Sequence, residues 1–169
     1  MNVDFQVIVP EVEEFIGGVF YKDIPILNAQ LKADAIASEY PDSLVLAADT
    51  VVEFNGLHIN KPEDEYEAVE MLMTLSGQEH VVVTGVCFQR CCDKTLTTFA
   101  DNSKVRFKNY NRDTVIEYMK KVYVLDKAGA YAVQEHGSMI VDEIVGSVTN
   151  VMGLPSERLQ EALKVISKY

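Results

Sequence analysis

Leu44-Val45-Leu46-Ala47-Ala48-Asp49-Thr50-Val51-Val52 is an apolar run that delivers one carboxylate and one hydroxyl where it ends. Apolar residues without alternation predict a strand covered on both faces, and so a central member of a mixed or parallel sheet. An acid buried alone in such a strand is costly. Asp49 therefore fits two roles: a cap on the turn after a core strand, or an acid facing a ligand at a strand's carboxyl end.

Working outward, the stretch Glu53-Phe54-Asn55-Gly56-Leu57 carries an Asn-Gly pair, a strong hairpin signal. The returning strand stops at Asn60-Lys61-Pro62, so Lys61 is brought back toward the strand end that carries Asp49. Upstream, a helix is predicted from Pro25, with Leu27, Leu31, Ala35 and Ala37 on its apolar side and Lys32 among its polar residues, ending at Pro41. Before it, Val3–Val9 alternates and then becomes apolar, predicting a strand up to Pro10. The acidic Glu11-Val12-Glu13-Glu14 next to it reads as a solvated loop or as part of a metal site.

Downstream, Asp64 with Glu67 three residues on makes a capping-box-like start to a helix carrying Ala68, Met71, Leu72 and Leu75, with Gly77 as its stop. His80–Phe88 predicts a second buried strand, Thr95–Ala100 a third and Ser103–Phe107 a half-exposed fourth, with antiparallel pairing across the short turns. Asn111-Arg112-Asp113 opens another helix, Met139–Val141 reads as a short strand, and a last helix begins after Pro155.

Composition narrows the class. The chain has 169 residues, a net charge of −11 and 48% hydrophobic residues, which fits one domain over 1–169 with a sizeable core and disfavours disorder. The acidic balance argues against a nucleic-acid polymer or an anionic membrane as partner. No apolar run reaches bilayer-spanning length and no secretory signal is apparent at the start, so a cytoplasmic location is expected. Cys87, Cys91 and Cys92 lack paired spacing, and His58, His80 and His136 are scattered, so no zinc site is expected.

The residues that carry chemistry are then Asp49, Thr50, the lysines Lys32, Lys61 and Lys127, and the amide Gln134. An acid with several lysines suits phosphate chemistry, in which cations neutralise phosphates while the acid orients water or holds a metal. No nucleophile triad, Walker loop or G-x-G-x-x-G competes with that set.

Seven motifs occur in order: Ala29-x-x-Lys32-Ala33, Ala48-Asp49-Thr50-Val51-Val52, Lys61-Pro62, Leu75-Ser76-Gly77-x-x-His80, Thr84-Gly85-Val86, Asp126–Tyr131 with Gln134, and Asn150-Val151-x-Gly153-Leu154-Pro155. Together they resemble the Maf family of nucleoside triphosphate pyrophosphatases, from about Phe5 to the C-terminal helix. The resemblance implies an α/β fold similar to inosine triphosphate pyrophosphatases: a mixed, strongly twisted sheet with flanking helices and a substrate cleft. It implies hydrolysis of a nucleoside triphosphate to the monophosphate and pyrophosphate with a divalent cation, Mg²⁺ or Mn²⁺, in a homodimer.

Under that resemblance Asp49 accepts the proton of the attacking water and lies near the metal, Lys32, Lys61 and Lys127 face phosphates, Thr50 and Gln134 influence the choice of base, and Glu14 matches an acid near the metal or the triphosphate. The Gly129-Ala130-Tyr131-x-x-Gln134 form is more similar to the branch acting on dTTP and UTP. One departure stands out. The family's opening S-x-S-P-R-R loop has no counterpart here, since Met1–Phe5 resembles the family's sequence beyond that loop and its helix. Weakened activity, or a non-catalytic nucleotide-binding or cell-division regulatory role, is the corresponding expectation.

Overall fold

In the computed structural model, which describes residues 4–16 and 18–166, the opening run becomes strand β1, Val45–Phe54. Asn55 and Gly56 both take positive φ, 53° and 79°, and turn the chain into β2, Leu57–Ile59. Strands β3 (Glu79–Arg90), β4 (Thr95–Phe107) and β5 (Val141–Val145) complete a sheet in the order β2-β1-β3-β4-β5.

The α/β architecture with flanking helices is the expected one. The sheet differs in that every pairing among the described strands is antiparallel. The unbroken apolar run of β1 reflects cover on both faces rather than parallel neighbours. Helix α1, Ile24–Glu39, lies across β1 and β3 on one side. On the other side Ala48 meets Val86, Phe88 and Ile166, the last from α5 (Ser156–Ile166). Val52 there joins the main core with Leu72 and Leu75 of α2 (Glu65–Leu75) and Val115 and Tyr118 of α3 (Arg112–Met119).

Helix α1 packs by a different stripe from the predicted one. Its buried residues are Pro25, Asn28, Ala29, Ala33 and Ala37, whereas Leu27 is exposed. The cause is close approach. A Cβ at Gly85 on β3 would fall on the carbonyl of Pro25, so the helix start sits almost on the strand and only small residues fit beneath the rest.

Helix α2 starts as its sequence foretells. The Asp64 carboxylate accepts from the Glu67 N–H at 2.8 Å, and the Glu67 carboxylate accepts from the Glu63 N–H at 2.6 Å. Three further expectations are corrected. Asp4–Val9 forms no strand and leaves Phe5, Val7 and Val9 exposed; Thr95–Phe107 is one strand rather than two; and Gly137–Met139 is a 3₁₀ turn that precedes β5. The expectation for Val3 lies outside the described residues.

Asp49 is also not at a strand end. It sits mid-way along β1, opposite Gly85 of β3. What opens it to solvent is the other edge: β2 pairs only with Val52–Phe54, so the Val45–Val51 edge has no strand partner among the described residues. No helix of the described chain is long and apolar enough to cross a membrane.

Candidate functional site

A cleft of about 570 Å³ opens over that unpartnered edge. Because successive side chains leave a strand on opposite faces, Asp49 points toward α1 and Thr50 away from it, yet both line the cleft. Glu14, Lys32, Lys61, Lys127 and Gln134 line it too, so all the candidates read from sequence meet in one place.

The α1 side is charged and tied together. Asp49 is buried, 8% exposed, and its two oxygens have separate partners. Lys32 Nζ donates to Oδ1 at 2.7 Å, and Asn28 Nδ2 donates to Oδ2 at 2.9 Å. Lys32 also bridges to Glu14 at 3.1 Å. Burial pushes the Lys32 ammonium down, but its hydrogen bonds and charge pairing with Asp49 and Glu14 outweigh this and raise its pKa, so it stays a cation.

Asn28 was not singled out in the sequence, and it does two jobs. Its Oδ1 accepts from the Phe15 N–H at 2.9 Å while its Nδ2 donates to the Phe15 carbonyl at 3.1 Å, so the amide holds the segment carrying Glu14 against α1. A polar residue one position before Ala29 looks like an exposed helix residue in sequence. Only the 13-residue contact to Phe15 and the 21-residue contact to Asp49 reveal it.

Lys127 and Lys61 enter from the far wall. Lys127 lies in the loop before the Ala128–Ala130 turn; its Nζ donates to Asp126 at 2.8 Å and approaches Glu135 at 3.7 Å, and the Asp126 hydrogen bond is the main cause of its raised pKa. Lys61, stiffened by the buried Pro62, is exposed. The Gly129 N–H donates to the Asn60 carbonyl at 3.2 Å, which fastens the end of the β2 segment to that turn. Among the described residues the lining contains these three lysines and no arginine.

His58 is a second residue that sequence reasoning passed over. It lines the cleft from β2 with Nδ1 buried and without a partner, as is Oδ1 of the neighbouring Asn60. Burial lowers its pKa, against an opposing pull from Asp49, so the ring is neutral at pH 7. Tyr131, also in the lining, is fixed by a 2.8 Å hydrogen bond between its hydroxyl and Nε2 of the buried His80.

The opposite face of β1 is neutral. Thr50 and Thr84, directly paired across β1 and β3, share a 2.9 Å hydroxyl contact, and Thr84 donates at 2.9 Å to the carbonyl of Asn150 in α4 (Val148–Val151). Gly153, with φ of 97°, comes so close to Thr50 that a Cβ there would sit 3.3 Å from its hydroxyl.

A family model described as Maf-like protein matches residues 1–166 of this sequence. The chain belongs to the Maf-like family. This Maf-like protein is 38% identical over 164 residues to a dTTP/UTP pyrophosphatase of Clostridioides difficile (strain 630), an alignment covering 96% of this chain and 84% of the relative. It is 42% identical over 164 residues to a dTTP/UTP pyrophosphatase of Bacillus cereus (strain AH820), covering 96% and 85%.

Proposed function

We propose that this Maf-like protein hydrolyses uridine and thymidine triphosphates at the α-phosphorus, giving the nucleoside monophosphate and pyrophosphate, with Asp49 as general base. One observation carries the proposal. A buried carboxylate is held in a single orientation by Lys32 and Asn28 at the floor of a cleft whose far wall presents Lys61 and Lys127. The relatives' activity on dTTP and UTP supports the substrate class. A fixed carboxylate of this kind also favours hydrolysis over a binding-only role.

In this mechanism Asp49 takes a proton from water as the water oxygen attacks the α-phosphorus. The bond from that phosphorus to the bridging oxygen breaks, and pyrophosphate leaves with the bond electrons. Lys61 and Lys127 neutralise the triphosphate, and Lys32 keeps Asp49 aimed. Thr50 and Gln134 contact the base. Among the described lining residues, phosphate charge rests on the lysines.

A divalent cation fits this site only in part from protein alone. Among the described residues no group of three or more His, Cys, Asp or Glu is placed to hold one. Mg²⁺ or Mn²⁺ is commonly held by one or two carboxylates with the rest of its shell from phosphate and water, and Glu14 and Asp49, already drawn together by Lys32, supply those two. Bound there, the cation would neutralise phosphate charge. The remaining assignments are a single domain, a homodimer, a cytoplasmic location, and neither nucleic-acid polymer nor membrane as partner.

The test is pyrophosphate release from dTTP and UTP with Mg²⁺ or Mn²⁺, in the parent chain and in Asp49→Asn. Release that disappears in the variant, with melting temperature retained, is the expected result. Equal rates in both would remove Asp49 from the chemistry.

A further inference from the structure

The neutral face of the cleft permits a complete count of protons. The Asn150 carbonyl accepts from the Gly153 N–H at 2.9 Å and from the Thr84 hydroxyl at 2.9 Å. A carbonyl has no proton to give, so the one hydrogen of Thr84 is committed to it. The 2.9 Å contact between Thr84 and Thr50 then has only one possible donor, the Thr50 hydroxyl. With its own hydrogen directed inward, Thr50 can offer the cleft lone pairs and nothing else.

The far end of the relay is rigid. Thr84 and Asn150 are fully buried and Ser103 almost so. Asn150 Nδ2 donates to the Val82 carbonyl at 3.0 Å and to Ser103 Oγ at 3.1 Å, and Ser103 donates to the Ser147 carbonyl at 2.8 Å. The Asn150 carbonyl therefore cannot swing away. At the near end, Gly153 keeps the approach to Thr50 clear, since even one carbon there would crowd its oxygen.

We infer that the Thr50–Thr84–Asn150 relay fixes Thr50 as a hydrogen-bond acceptor that selects a base offering a ring N–H, uracil or thymine, over cytosine, which offers a ring lone pair. This rests on the nucleotide-hydrolysis assignment above and adds to it the origin of base choice. Thr84 and Asn150 do not touch the base; they are positioning residues that set the direction of the Thr50 proton. Lone pair against lone pair repels, and a buried acceptor left unpaired adds a further penalty, so discrimination by one such contact can be large.

The experiment compares kcat/KM for UTP and CTP in the parent chain, Thr84→Val and Thr84→Ser. Thr84→Val removes the acceptor, frees the Thr50 hydroxyl to donate, and is expected to cut the UTP-to-CTP ratio by about tenfold or more, chiefly by raising CTP. Thr84→Ser restores the relay and is expected to keep the ratio within about threefold. Should Thr84→Val fail to fold, Thr84→Cys, whose sulfur is a weak acceptor, replaces it.

Binding of UMP and CMP measured by calorimetry on the same proteins separates this inference from the catalytic one. A parent chain that releases no pyrophosphate from any nucleotide would defeat the catalytic assignment, while a UMP preference lost in Thr84→Val and kept in Thr84→Ser would still support the relay. A preference that is unchanged in Thr84→Val, or lost equally in Thr84→Ser, would overturn it.

Discussion

Asp49 and Thr50 are neighbours in sequence and opposites in setting. Toward α1, Asp49 lies among Lys32, Glu14 and Asn28, where every contact involves a charge or a dipole aimed at one. Toward α4, Thr50 lies on a chain of hydroxyls and amides in which its nearest members, Thr84, Asn150 and Ser103, are uncharged. Both faces of the strand nevertheless line one cleft, so the two halves of the task, bond breaking and base choice, can be assigned to adjacent residues and altered independently.

The largest effect expected is on the charged face. Asp49→Asn is near isosteric and should lower kcat for every accepted nucleotide by about 10²- to 10⁴-fold while leaving the melting temperature close to that of the parent. Next is Lys32→Met, which leaves Asp49 and Glu14 without their shared cation. It should cost about 2 kcal/mol or more at pH 7 in urea unfolding, because a largely buried carboxylate loses its partner, and added Mn²⁺ should return part of that loss by binding the folded state.

Asn28→Leu removes three hydrogen bonds but keeps the branched outline of the side chain. It should lower kcat by about tenfold and weaken Mn²⁺ binding, read by electron paramagnetic resonance, because Asp49 and Glu14 both lose their placement. Faster exchange of the Phe15 amide should accompany it.

The smallest effect on nucleotide turnover lies beneath both faces. His80, buried against Phe107 and Tyr131, has its pKa lowered from 6.5 to about 4, chiefly by burial. The unfolded chain therefore binds a proton that the native chain refuses between those values, so stability is full above about pH 6.5 and is lost as pH falls toward 4. The contribution is roughly 3 kcal/mol. His80→Gln should flatten the acid limb of a melting-temperature profile over that window and leave base preference untouched.

The charged half of the cleft was largely legible in sequence and the neutral half was not. Asp49, Lys61 next to Pro62, and Lys127 are rare residue types in constrained places, and the Asn-Gly turn that returns Lys61 is a local signal. Thr84 and Asn150 were visible within ordered motifs, but their coupling spans 66 residues and depends on strand register, which local pattern does not carry. Asn28 was hidden for a related reason: an amide in a helix is ordinarily solvated, and the Leu27-Leu31-Ala35 stripe pointed to the wrong face. That error came from Gly85, whose missing side chain lets α1 approach so closely that alanines rather than leucines are buried. In the fold, turns and caps obeyed local chemistry, whereas Asp4–Val9 had the alternation of a strand and no partner in the described sheet to pair with.

The division of labour along β1 is tested most directly by measuring kcat/KM for UTP and CTP in two variants side by side, Asn28→Leu on the charged face and Thr50→Val on the neutral one. The expected result is that Asn28→Leu lowers both substrates by the same factor, and that Thr50→Val lowers UTP alone, so that the ratio collapses. A changed ratio in Asn28→Leu, or an equal loss for both substrates in Thr50→Val, would contradict it.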